Sequence, residues 1–133
     1  MTKALLLLLV AVASLTACQS SQGVQVTQAE DVVGVWTGIA DPVRNPAYLI
    51  LTAAGVYSFA SNPNGDHASS GEYWFEDGAF FIRDLFCSNP GKYTLTRVNG
   101  ETPLLSFTVI EDDCAGRASV LTTNDAVWYG PSP

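Results

Sequence analysis

Positive charge is scarce in this chain of 133 residues: six Lys and Arg stand against thirteen Asp and Glu, a formal net charge of −7. So acidic a surface is repelled by nucleic acid, which leaves nucleic acid out as a partner, and by anionic headgroups. It suits a basic protein, a cationic peptide or a metal cation, or simply keeps the chain soluble. Histidine is scarcer still, with His67 alone in the loop Asn62-Pro63-Asn64-Gly65-Asp66-His67. Ser69 and Ser70 follow closely, but nothing positions a base against a nucleophile and no Gly-x-Ser-x-Gly elbow occurs. His67 therefore reads as an exposed loop residue, and no catalytic residue is assigned. The three cysteines show no paired spacing and no neighbouring histidine, so neither a metal site nor a cofactor is expected. Glu111-Asp112-Asp113 lacks the spacing and the glycine of a calcium loop. It reads as turn chemistry, with one carboxylate facing Arg117. Glycosidase-like acid/base work depends on a carboxylate separation in space, and the chain is not expected to be an enzyme.

Long hydrophobic runs are missing too, except for Ala4 to Ala13. Ten residues rise only ~15 Å in a helix, against a hydrocarbon core of ~30 Å. Preceded by Lys3 and followed by Leu15-Thr16-Ala17-Cys18, the run has the layout of a secretory signal peptide. It resembles the bacterial lipobox, which implies cleavage after Ala17 and lipidation of Cys18. Three segments follow: residues 1–17 as signal peptide, 18–30 as lipidated terminus and polar tether, and 31–133 as one folded domain. Cleavage leaves 116 residues with a side-chain charge of −8, enough for one domain. The resemblance implies a cell-envelope protein held to a membrane by its lipid. Gln19 stands where an aspartate tends to retain lipoproteins at an inner membrane. That points to the outer membrane on its periplasmic face if the cell has one, and otherwise to the extracellular face of the plasma membrane. In an exported chain Cys87 and Cys114 are the natural disulfide.

No helical apolar face recurs after Ala13. From Asp31 on, aromatic and β-branched residues come in short runs separated by turn dipeptides. The runs predict strands over Val32–Ile39, Tyr48–Thr52, Val56–Ala60, Gly71–Glu76, Ala79–Asp84, Lys92–Val98, Leu104–Ile110 and Arg117–Thr122. A short piece, Ala126–Tyr129, ends the series. Asp77-Gly78 and Asn99-Gly100 are dipeptides favoured by two-residue hairpin loops. Alternation points Tyr73, Phe75, Tyr93, Leu95, Leu105, Phe107 and Val109 inward, and Glu72, Trp74, Glu76 and Lys92 outward. Trp74 either meets a basic partner or lies under the Ser61–Ser70 loop. Consecutive one-sided strands with short connections predict an all-β, antiparallel, up-and-down eight-stranded barrel, with a two-sheet sandwich as the alternative.

Gly34-Val35-Trp36 then resembles the Gly-x-Trp signature of lipocalins and their calycin relatives, whose tryptophan plugs the closed end of the barrel under a late arginine. Arg117 is the counterpart of that arginine. Cys87, Gly91-Lys92-Tyr93, Asp112-Asp113-Cys114-Ala115-Gly116-Arg117 and Trp128 are similar to the ordered motifs of small bacterial lipocalin-like lipoproteins. The resemblance covers about residues 31–129. It implies a barrel that binds a small apolar or amphipathic molecule against Tyr73, Phe75, Tyr93, Leu105 and Phe107. An inner set crowded with these rings and with Tyr57 and Phe59 alternatively fills the barrel. Arg97, in phase with Tyr93 and Leu95, is either a mouth clamp for an anionic group or an arginine reaching to the rim. The other expectation is a protein-binding envelope lipoprotein, since size, anchor and Ser70-Gly71-Glu72-Tyr73 resemble the bacterial lysozyme inhibitors and acidity suits a basic protein. In that family a basic residue tends to stand where Glu72 stands here.

Overall fold

The computed structural model describes residues 22–39, 46–66, 69–122 and 127–130. Their elements are β1 (Val24–Val26), a 3₁₀ turn (Ala29–Asp31), β2 (Gly34–Ile39), β3 (Pro46–Leu51) and β4 (Val56–Ala60). β5 (Ser69–Glu76), β6 (Ala79–Asp84), β7 (Gly91–Val98), β8 (Leu104–Glu111), α1 (Ala115–Thr122) and β9 (Val127–Tyr129) follow. Each strand from β2 to β8 pairs antiparallel with the next in the chain, and β9 pairs back onto β2. The ring closes with eight strands, so the sandwich is excluded. Closure removes the exposed edges of an open sheet.

The turns behave as their residues require. Asp77 and Gly78 both take positive φ, 49° and 75°, as a type I′ hairpin demands. Asn99-Gly100 does not form the expected two-residue loop: Val98 pairs with Leu104, which leaves a five-residue connection.

The interior is packed. Trp36, Leu49, Phe80, Tyr93, Leu95, Leu105 and Phe107 are at most 2% exposed. Phe80 sits at the middle, its ring 5.5–5.6 Å from those of Tyr73, Phe75 and Phe107 and 6.5 Å from Tyr93. These are offset and edge-on separations that favour aromatic pairs. On the outside Trp74 stacks on Phe81, its partner across β5 and β6, with the Arg83 guanidinium 5.6 Å from its ring. Phe81 and Arg83 of the neighbouring strand give it its cover among the described residues. Val109, opposite Tyr93 beside an irregularity in the β7–β8 register, is 41% exposed and departs from the expected inner set.

Two elements correct the sequence reading. Residues 117–122, expected as the eighth strand, lie in α1 (Ala115–Thr122), and β9 supplies the eighth strand. A strand would place Arg117, Ser119 and Leu121 on one face. Arg117 and Leu121 are buried while Ser119 is exposed, the separation a helix gives residues four apart. The helix starts where the Asp112 carboxylate accepts the Cys114 N–H at 2.8 Å and Cys114 O accepts the Ala118 N–H at 3.0 Å. Residues 24–26 and 29–30, expected within the tether over 18–30, lie in β1 and the 3₁₀ turn. β1 pairs with β7, Val24 opposite Arg97 and Val26 opposite Leu95, along an edge that β6 pairs only as far as Tyr93. Cys18 and His67 lie outside the described residues. Among the described residues no helix is long and apolar enough to cross a membrane.

Candidate functional site

The two ends of the barrel differ. At one end the 3₁₀ turn packs against the core, and Trp36 lies beside it, 2% exposed, donating its indole N–H to Val32 O at 2.8 Å. Gly34 opens β2 with φ 146°, a region closed to most L-residues. The cation over this indole is Arg97, 5.7 Å from the ring centroid, which also donates from Nη1 to Asp31 O. Arg117, the residue expected there, lies at the opposite end, because α1 covers the mouth. Arg97 therefore belongs to the plugged base and is not a clamp at the mouth.

The mouth collects the other motif residues. Cys87 and Cys114 are disulfide-bonded, with their Cα atoms 5.9 Å apart, joining the loop after β6 to the start of α1. Arg117 donates Nε to Asp112 Oδ2 at 2.8 Å and Nη2 to Asp112 Oδ1 at 2.7 Å. It also donates Nη1 to Asp84 Oδ2 at 3.1 Å and Nη2 to Asn89 O at 3.0 Å. Tyr93 donates its hydroxyl to Asp112 as well. Gly91 is required beside them, since a Cβ there would run into the Asp112 carboxylate. Trp128 donates its indole N–H to Leu121 O at 3.1 Å, holding the far end of α1.

Titration follows from this geometry. Burial alone would raise the Asp112 carboxyl, but the hydrogen bonds from Arg117, Tyr93 and the Cys114 N–H outweigh burial and hold it below the usual range. Burial raises the Tyr93 and Tyr57 hydroxyls, and the Asp112 and Asp84 carboxylates beside them raise them further. Burial would lower Arg117, and the two carboxylates reverse that and lock in its charge. Asp84 also accepts the N–H groups of Phe86 and Cys87 at 2.8 and 3.0 Å. Asp84, Cys87 and Cys114 stand close enough to hold a cation, but both sulfurs are spent in the disulfide and the carboxylate is committed to Arg117.

Between α1 and the barrel rim lies a pocket of about 230 Å³. Leu49, Phe59, Ile82, Phe86, Val120 and Leu121 make its apolar wall, and Tyr57, Asp84, Arg117 and the disulfide make one side. Ser69 and Gly116 complete the lining. Of the residues expected to hold a ligand, Tyr73, Phe75, Tyr93, Leu105 and Phe107 occupy the packed interior and do not line this pocket. Sequence reasoning missed the wall residues. Asp84 carried the clearest signal, an acid in phase with the inward Phe80 and Ile82. An inward carboxylate requires a partner, and Arg117 supplies it. Set against models of protein families, curated proteins and solved structures, the chain matches none.

Proposed function

We propose that the chain is a membrane-anchored, lipocalin-like envelope lipoprotein that binds a small apolar or amphipathic molecule in the pocket at its mouth. The observation that carries this reading is the 230 Å³ apolar pocket beneath α1. An apolar cavity of about 150 Å³ admits benzene, so this one suits a molecule of one or two rings, while the described lumen is filled by the rings around Phe80. Arg117, Asp84 and Tyr57 on its wall are already engaged with one another, so recognition rests chiefly on shape and apolar contact. Lipidation of Cys18 supplies the anchor, at ~0.8 kcal/mol per buried methylene and with more than one chain required for stable attachment.

Titration of the mature protein with naphthalene, followed by its fluorescence, tests the reading. Saturable binding that Val120→Trp abolishes supports it. Absence of saturation in the parent protein removes it. A fluorescent long-chain fatty acid is expected not to bind.

A second reading is protein binding, favoured by Leu85 and Phe86, 97% and 83% exposed side by side at the mouth of an acidic domain. Exposed aromatic anchors with such neighbours suit an interface, and a basic protein is the partner the charge selects. A lysozyme assay tests the narrowest form of this reading, and an unchanged lysis rate discards that form.

A further inference from the structure

We infer that the plugged end of the barrel faces the anchoring membrane and the mouth faces the aqueous phase, so the pocket is loaded with water-borne apolar molecules and not from the leaflet. This rests on the lipid anchor at Cys18 proposed above. β7 runs from the mouth, where Gly91 abuts Asp112, to the plugged end, where Arg97 covers Trp36. β1 is antiparallel to it, with Val24 opposite Arg97. Gly23 lies against the same end, where a Cβ would strike Thr96. The polypeptide therefore enters the barrel at the plugged end.

Lengths decide what this allows. Five residue steps separate Cys18 from Gly23, a maximum reach of ~18 Å. The eight-residue strands β7 and β8 are ~27 Å long. At a barrel tilt of ~40° they give a height of ~20 Å, and α1 across the mouth adds ~10 Å. Turning the mouth onto the membrane would lift the entry point ~30 Å above it, by the same dimensions, beyond the tether. Leu85 and Phe86 cannot then serve as a wedge in the anchoring leaflet. Phe86 lines the pocket and is also 83% exposed, so the pair is the first apolar surface that a molecule arriving from water meets.

The test uses the full lipoprotein in phosphatidylcholine nanodiscs whose headgroups carry a nitroxide, read by amide line broadening. Gly78, Asn99 and Gly100 are expected to broaden strongly, with Phe86 and Gly116 unchanged. Equal broadening at both ends, or stronger broadening at Phe86 and Gly116, overturns the orientation. A variant with eight Gly/Ser residues inserted between Ser20 and Ser21 lengthens the tether past the barrel height and is expected to lose the contrast. If the contrast persists, the tether does not set the orientation and the inference is overturned. The intact mass separates the two levels. A mature chain without acyl groups overturns the anchor and the orientation together, whereas an acylated chain with its mouth on the membrane overturns the orientation alone.

Discussion

Arg117 and Asp112 meet through two parallel hydrogen bonds, 2.7 and 2.8 Å long, with side chains only 6% and 0% exposed. Asp84 takes a third bond from the same guanidinium. The cluster fastens the helix over the mouth to β6, to the loop after it and to the end of β8, and so builds one side of the pocket. Charge-assisted, two-pronged pairs of this kind fix orientation as well as energy.

Arg117→Ala strands two buried carboxylates. A buried pair broken on one side costs about 3–5 kcal/mol, which lowers the melting midpoint by roughly 10–20 °C in a domain this size. Calorimetry checks it. Arg117→Lys keeps the charge but loses the fork, and is expected to recover only part of the loss.

The same cluster sets both flanks of stability against pH. The folded Asp112 carboxyl lies below its unfolded value, so its contribution is complete above about pH 4 and is lost as pH falls through the folded value. Tyr57 and Tyr93 are raised on folding, so their contribution is complete below about pH 10 and is lost as pH rises past it. Urea midpoints measured from pH 2 to 11 should show a plateau with a fall on each side. Asp112→Asn should flatten the acid flank.

At the plugged end, Arg97→Met removes the cation from Trp36 and a hydrogen bond to Asp31 O, a loss of about 1–2 kcal/mol. Trp36→Ala is expected to cost about 3–5 kcal/mol. Arg117→Met should leave the fluorescence of Trp36 unchanged while Arg97→Met shifts it, which separates the two arginines. The comparison is read in a background with Trp74 and Trp128 replaced by Phe.

Replacing Cys87 and Cys114 by Ser opens a loop of 27 residues, worth about 3.6 kcal/mol in the chain-entropy model. Denaturant unfolding checks it. The binding of naphthalene should weaken as well, because both cysteines line the pocket.

The barrel was legible because strand alternation is a local signal. Tyr73 against Glu72, and Tyr93 against Lys92, assign faces without knowledge of the partner strand. The helix was not legible, since Val120 and Thr122 have the β-branched character of a strand and the contacts that hold α1, Arg117 on Asp84 and Trp128 on Leu121 O among them, come from elsewhere in the chain. The partner of Trp36 was misassigned for a related reason. Sequence order places Arg117 late in the chain, but α1 carries it to the mouth, whereas β1 and the 3₁₀ turn bring Asp31 to Arg97. The pocket wall gathers Leu49, Phe59, Ile82 and Leu121 from three strands and a helix, and no periodicity within one segment reports such an assembly.

Methyl-resolved NMR during a naphthalene titration tests the central claim most directly. The account predicts progressive, saturable shifts at Leu49, Ile82, Val120 and Leu121, with Leu95 and Leu105 in the packed lumen unmoved. Shifts centred on Leu95 and Leu105, or none at the mouth, would contradict it.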